Sequence, residues 1–559
     1  MKKNQIISIA AVLLCGAAMT SCSPKMGKLS AENFNVVPTP MELQGTTVPI
    51  TIYGAFPEKY MNKKAVVTVT PELRFGDNSI HGQSATFQGE KVLGNDQQIS
   101  YLLGGHYTMR DVFNYTDDMH NSQLYLTFDA FIGNKKVNIP PVKISYGILA
   151  TSGLYKKALQ QGGGVIAPDT FQYVRTRQQE ASVRFLVNEY KIREHELKNN
   201  SIQEFTRLLD NIVKDYESYN LQDIEVLAYS SPEGGQKYNA QLSIKRQSAG
   251  EIYVDKELTK RNVSTHVTGD CTAQDWDGFQ QLVMASNIQD KELILRVLNM
   301  YKDPQEREDQ IKNMSKGFQD LAKKILPRLR RARMIINYES VGRSDEQLFE
   351  QWAKNPKKLS LEEVLYFATL QETIDKQEDI YRQCTKLYPE DYRAYNNIAA
   401  MEYGKGNNDL AKQYVQQALQ KNPRAGEPYS NLSLIALQTG DIQQAEAYMA
   451  RALGSANFNL VQGAVDFAKG NYKQAAYYYK WVNNNMSALT QIMALDYAQG
   501  RAVFKQIKEP DAMTNYLHAI LCARESNKYA ANGYLKDALK MDPSLEQYAH
   551  DDLEFANIR

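Results

Sequence analysis

Between residues 34 and 148, apolar side chains come in short runs rich in β-branched and aromatic residues, at 48–53, 65–70, 99–103, 124–128 and 142–146. Gly, Asn, Asp and Pro separate these runs, and no helical period lies between them, which predicts strands and turns. The spacing predicts a small all-β, sandwich-like domain over 34–150. Residues 151–169 hold Gln160-Gln-Gly-Gly-Gly-Val-Ile-Ala-Pro168 and read as a linker. From 170 the pattern alternates between the two periods. A strand at 181–187 precedes an amphipathic helix marked by Ile202, Phe205, Leu208, Leu209, Ile212 and Tyr216. A second strand at 224–229 is followed by a helix at 239–258; from Lys237 onward Tyr238, Leu242, Ser248–Ala249 and Ile252 recur at helical spacing. A third strand opens at 263–267, a helical stretch runs to about 326, and 333–338 closes the sheet. The 170–345 segment is therefore an α+β domain, β-α-β-α-β with a helical insert before its last strand. From 350 to 559 the period is helical throughout, so the chain is multidomain.

The helical part repeats itself. Tyr395, Ala411 and Ala418 recur 34 residues later as Tyr429, Ala445 and Ala452, and Pro389 recurs as Pro423. A shortened third copy carries Gly463, Ala475 and Tyr479, and a last one Ala519, Ala531, Ala538 and Pro543. A degenerate copy precedes them at about 355–389, and the stretch from 482 to 512 is irregular. This register resembles the tetratricopeptide repeat, in which small residues sit where paired helices touch. The resemblance implies an all-α solenoid whose concave face binds a protein partner. Tyr395, Tyr429 and Tyr478 are the candidate protein-binding residues, because aromatics dominate such contacts.

The N-terminus changes the picture of location. Lys2 and Lys3 precede an apolar run from Ile6 to Ala18, and Met19-Thr20-Ser21 leads directly into Cys22. This pattern predicts a signal peptide over 1–21. The small residues before Cys22 resemble a bacterial lipobox, which implies a palmitate-type anchor on Cys22 and a lipidated tether over 22–33. No acidic run follows Cys22, which points to the periplasmic face of an outer membrane. Of the other cysteines, Cys15 leaves with the signal, while Cys271, Cys384 and Cys522 are too few and too far apart for a disulfide framework or a zinc ribbon. The net charge of +1 over 559 residues leaves no basic footprint for nucleic acid.

The most informative stretch joins the second strand of the α+β domain to its helix. It reads Ala228-Tyr-Ser-Ser-Pro-Glu-Gly-Gly235, then Asn239, Leu242, Ser243 and Arg246. The N-x-x-L-S-x-x-R half resembles the OmpA-like peptidoglycan-binding domain, and the S-P-E-G loop and Asp275-Trp-Asp-Gly278 resemble its Bacteroidetes variant. The resemblance implies a peptidoglycan site in which Arg246 takes the diaminopimelate carboxylate. The aspartate that would hold the amine falls on Ser231, and Glu233 is the nearest carboxylate, with Asn239 completing the candidate set. In all, the chain resembles a Bacteroidetes envelope lipoprotein with an OmpA-like domain and C-terminal tetratricopeptide repeats.

No H-E-x-x-H, Walker loop, G-x-S-x-G elbow or Cys/His zinc spacing occurs. Gly162-x-Gly164-x-x-Ala167 matches a dinucleotide fingerprint in letters only, since no strand precedes it and Pro168 follows. Asp275 and Asp277 lack the further acidic positions of a calcium loop, so capping is the expectation. No catalytic residue, metal or cofactor is expected. The sequence points to a non-enzymatic scaffold, with a plain outer membrane–peptidoglycan tether and a hydrolase hidden in the β domain as alternatives.

Overall fold

A computed structural model describes residues 26–288, 290–313 and 319–558. Cys22, the signal segment and the start of the tether lie outside them. The chain divides into two compact units, one made of residues up to 168 together with 371 onward, the other of 169–370. The β-rich region and the helical repeats therefore share one unit, and the α+β region is inserted between them in sequence. The serial order expected from the sequence, with a free linker at 151–169, does not describe this unit.

The N-terminal region holds β1 (Phe34–Val37), β2 (Met41–Glu42), β3 (Thr47–Phe56), β4 (Ala65–Phe75), β5 (Asn78–His81), β6 (Ala85–Gly89), β7 (Gln97–Ile99), β8 (Gly105–Asn114), β9 (Gln123–Ile132), β10 (Lys135–Val137), β11 (Val142–Tyr146) and β12 (Ile148–Leu149). One sheet runs β1-β3-β8, and a larger one runs β10-β9-β4-β6-β7 with β11 beside β9 and β5 beside β4. Along β3 the residues Val48, Ile50, Ile52 and Phe56 are buried in alternation, as a half-buried strand requires. They share one core with Val67, Val69, Leu124 and Leu126 of the larger sheet.

The helical part is built of antecedent and following helices in pairs: Tyr392–Gly404 with Asn408–Lys421, Gly426–Thr439 with Ile442–Met449, Phe458–Ala468 with Tyr472–Tyr479, Asn485–Met493 with Tyr497–Gln506, and Ala512–Arg524 with Lys528–Met541. The fourth residue of each second helix is small: Ala411, Ala445, Ala475, Gly500 and Ala531. The four alanines have no exposed surface, and a Cβ on Gly500 would meet Leu521 Cδ1 at 2.8 Å. A larger side chain at these points pushes into a neighbouring first helix, so Ala445→Leu is expected to cost about 1–3 kcal/mol by overpacking, read as a lowered denaturant midpoint.

The stretch from 482 to 512, irregular in sequence, forms a pair of its own. In the first three pairs the turn residue is Gly406, Gly440 or Gly470, at φ +85°, +78° and +82°, followed by Asn or Asp at the next helix start. In the fourth and fifth pairs Leu495 and Ser526 adopt the same left-handed conformation, at φ +64° and +62°. The geometry persists although the glycine signal does not, and Asp496 and Asn527 still cap by accepting from Gln499 N and Ala530 N.

The inserted unit carries β13 (Val174–Arg184), β14 (Tyr219–Tyr229), β15 (His266–Thr272) and β16 (Arg331–Val341) in the order β13-β16-β14-β15. β14 and β15 are parallel, and the last strand inserts between the first two, antiparallel to both. Helices Asn200–Lys214 and Gln236–Arg261 cover the sheet through Phe205, Leu209, Val254 and Leu258. The described residues between β15 and β16 are mostly helical and have their own small core around Phe279, Ile294, Ile325 and Leu329. Helices Asp345–Lys354 and Leu361–Thr369 belong to this unit as well, so the division falls at 370 and not at 350.

Candidate functional site

Arg246 is fully buried. Its Nε donates to Glu189 O at 2.9 Å, Nη1 to Tyr229 O at 3.0 Å and to Ser230 Oγ at 3.2 Å, and Nη2 to Leu186 O at 3.2 Å. The guanidinium also lies 5.1 Å from the Phe185 ring. It thereby ties the end of β14 to the loop that follows β13. Burial, and then the neighbouring Arg330 guanidinium, push Arg246 down to about 10, so it stays charged at neutral pH.

The rest of the loop is equally self-satisfied. Asn239 Nδ2 donates to Ser231 O at 3.0 Å and to Gly234 O at 3.1 Å, which fixes the turn. Ser231 Oγ donates to Glu233 Oε1 at 3.0 Å, and Glu233 is paired with Arg330 at 2.5 Å. The Gly234 N–H, the kind of loop amide that favours an anion, already donates to the buried Glu308 of the insert at 2.7 Å. Ser231, Glu233, Asn239 and Arg246 are thus brought together, but their polar atoms face one another and the protein. The helix face that does this is mixed: Asn239, Leu242, Ser243, Arg246, Gly250, Val254 and Leu258 are inside, while Tyr238 and Ile252 are 51% and 67% exposed. Of the residues whose spacing predicts this helix, Leu242 is on the inner face and Tyr238 and Ile252 are on the outer one.

Nearby, Asp275 caps its helix by accepting from Gly278 N at 2.9 Å and pairs with Arg331 at 2.9 Å, as the capping expectation required. Arg333 takes Glu180 through two bonds of 2.7 Å. The basic run at 328–333 is thus largely engaged in ion pairs. Among the described residues, no group of three or more His, Cys, Asp or Glu is placed to hold a metal ion, and no helix is long and apolar enough to cross a membrane.

A second site lies in the repeats and was not anticipated. Asn397 and Asn431 stand 34 residues apart, at the same place in consecutive first helices. Both are buried, and both hold the main chain of an extended segment. Asn431 Oδ1 accepts from Val165 N at 2.6 Å while its Nδ2 donates to Val165 O at 2.9 Å. Asn397 does the same for Ala167, accepting from its N–H at 2.7 Å and donating to its carbonyl at 3.2 Å. Asn396 Nδ2 adds a 2.9 Å bond to Val165 O, and Gly164 N donates to Ala400 O at 3.2 Å. A two-residue step along an extended chain matches a one-repeat step between helices. The signal was present in the 34-residue recurrence of Asn, but Asn inside a helix carried no expectation of a ligand.

The three tyrosines fall in different surroundings. Tyr395 and Tyr429 donate their hydroxyls to Pro389 O and Pro423 O, six residues back in each case, at 3.3 and 3.2 Å. Both therefore brace the turn that enters their helix. Tyr478 is half-buried with its ring 5.8 Å from Tyr477, which is 72% exposed, and Trp481 nearby in sequence is 85% exposed.

No family model and no curated protein matches this chain. Solved structures do. A tetratricopeptide repeat protein from Parabacteroides merdae ATCC 43184 is 18% identical, over 38% of this chain and 90% of its own, with a TM-score of 0.28. PilF of Pseudomonas aeruginosa is 14% identical, over 35% of this chain and 96% of its own, with a TM-score of 0.27. Yeast Tom70 is 10% identical, over 65% and 91%, with a TM-score of 0.24.

Proposed function

We propose that this chain is a non-enzymatic envelope scaffold that binds protein through its repeats. The observation that carries the reading is the pair of equivalent asparagines, Asn397 and Asn431, each gripping both main-chain groups of an extended residue. Such contacts recognise polypeptide as polypeptide and leave side-chain identity to the surrounding floor. On the array, the aromatic edge of Tyr477, Tyr478 and Trp481 is the proposed contact with a protein partner. A photo-crosslinking residue at Trp481 is expected to trap a discrete adduct in cells, and one at the turn-bracing Tyr395 is not. Equal yields at the two positions would count against the edge as the contact.

The location we propose is the periplasmic face of the outer membrane, through acylated Cys22. Replacing Cys22 with Ala is expected to release the protein from the membrane fraction and end palmitate incorporation; retention of both would end this reading. For the inserted unit we propose an OmpA-like domain. The strand order β13-β16-β14-β15, with the Asn239–Arg246 helix following the loop after β14, supports it. We do not assign it a working peptidoglycan site. Every polar group that the resemblance implies for the ligand has a partner inside the protein. The simple tether is for that reason the weaker of the two readings.

A further inference from the structure

We propose that the groove of the repeat array is closed in cis, with residues 162–168 as its built-in peptide ligand. This deepens the reading of the array as a polypeptide site and rests on it. The segment makes more than main-chain contacts. Val165 and Ala167 are 3% and 1% exposed, so alternate side chains of the extended stretch are buried in the repeats. Gly164 lies so close to the first helix that a Cβ there would meet Ala400 Cα at 2.6 Å and Asn431 Oδ1 at 2.8 Å. The groove floor is correspondingly small, with Ala400 under Gly164 and Gly404 against Gly163. Of the triple glycine, Gly164 is thus fitted to the array, and Gly163 makes the left-handed turn that leads into it, at φ +72°.

The segment is also anchored ahead of the groove. Helix Tyr155–Gln161 packs on the first helices of the second and fourth pairs: Tyr155 donates its hydroxyl to Leu437 O at 3.0 Å, Gln438 Nε2 donates to Lys156 O at 2.9 Å, and Asn485 Nδ2 to Gln161 Oε1 at 3.1 Å. From Gln161 on the first helix of the fourth pair, through Val165 on that of the second, to Ala167 on that of the first, the strap runs opposite to the order of the repeats. What remains between strap and repeats is a cavity of about 90 Å³, too small for a second chain. A ligand held through a short connection has an effective concentration on the order of millimolar, so a free peptide of ordinary affinity does not displace it. Partners of the intact chain must therefore use surfaces other than the groove floor at Asn397 and Asn431, unless the strap is first released.

The test uses the full chain. Amide hydrogen exchange is read over residues 162–168, where Gly164, Val165 and Ala167 donate to the array. Exchange at least about a hundredfold slower than in the free peptide is expected for a strap that opens only with local unfolding. Exchange at the free-peptide rate overturns the proposal whatever the array binds. In a second arm, a fluorescein-labelled peptide of residues 160–170 is titrated into the parent and into Val165→Asp, which places a charge in the buried strap position. The parent is expected to bind none, the variant to bind, and added Asn397→Ala and Asn431→Ala to abolish binding. Equal binding by parent and variant, or no binding by a variant whose helical melt is intact, overturns it. If Val165→Asp does not fold, Gly164→Leu takes its place, and the exchange arm decides independently. Neither arm depends on the Trp481 edge, so failure of the crosslink leaves the strap standing, and the reverse.

Discussion

Arg246→Ala should destabilise the inserted unit by about 3–5 kcal/mol, and should do so in the absence of any ligand. The substitution takes the arginine's donors from Glu189 O and Tyr229 O and leaves Leu186 O with the Glu189 amide alone, in a site with no exposed arginine surface. Each buried acceptor left unpaired costs about 1–3 kcal/mol, and water entering the vacated volume recovers part of it. For a unit of some 200 residues this is a fall in Tm of about 10 °C, read by exchange in fragments from β13 and β14. Lysine does not substitute well, since a point charge with a single nitrogen cannot reach acceptors on opposite sides as the planar fork does. A peptidoglycan receptor makes the opposite prediction. There the parent pellets with sacculi, and Arg246→Ala loses pelleting while its Tm hardly moves. We expect the parent to stay in the supernatant. Pelleting by the parent, together with an Arg246→Ala variant as stable as the parent, would show that the closed arrangement opens readily to ligand.

How much of this was legible in the sequence follows from where each signal is stored. The strands of the β region declare themselves by alternation, because one face of each is in a core and the other is not. The repeats declare themselves through Ala411, Ala445, Ala475 and Ala531, since a close helix contact admits few residues. The fourth pair was hidden because Gly500 replaces Ala and Leu495 replaces Gly, two exchanges that keep the geometry and erase the letters. The Arg246 helix is legible as a helix but not in its rotation, for a different reason. Tyr238, Leu242 and Ile252 share the helical spacing, yet only Leu242 goes inside, beside Asn239 and Arg246, whose hydrogen bonds to carbonyls hold them there. The strap was misread most. Gly162-Gly-Gly164 is the composition of a flexible linker, and only the partner surface, with Ala400 beneath it, shows that Gly164 supplies a close approach while Gly163 supplies a left-handed turn. Which segments share a unit is likewise a property of contacts far apart in sequence, such as Arg524 with Glu42.

Arg524→Ala is the single change expected to damage the larger unit most. Arg524 is 12% exposed and holds Glu554, 5% exposed, through Nε at 2.9 and 3.1 Å and again through Nη2. The same Nη2 reaches Glu42 of β2 at 3.4 Å, and Thr151, just beyond β12, donates to Glu554. The cluster thus joins the β region to the last helices of the array. Removing one member of a buried pair leaves the other charged and unpartnered, at a cost of about 3–5 kcal/mol. The direction with pH follows from Glu42. Burial lifts its carboxyl above the usual range, against the pull of Arg524. A carboxyl lifted in the folded state disfavours folding once it is ionised, so stability is lost as pH rises through the folded value. Without Arg524 the lift grows, and the deficit of the variant is expected to be larger at neutral pH than in mild acid. Glu554→Gln strands the arginine instead and should cost a similar amount. Arg524→Met with Glu554→Leu, which removes both charges and keeps the volume, should be less damaging than either single change. Denaturant midpoints of the full chain, read in fragments from 512–558, give the cycle. Additive losses, with the double variant the worst of the three, would mean that the ion pair does not hold the β region to the array.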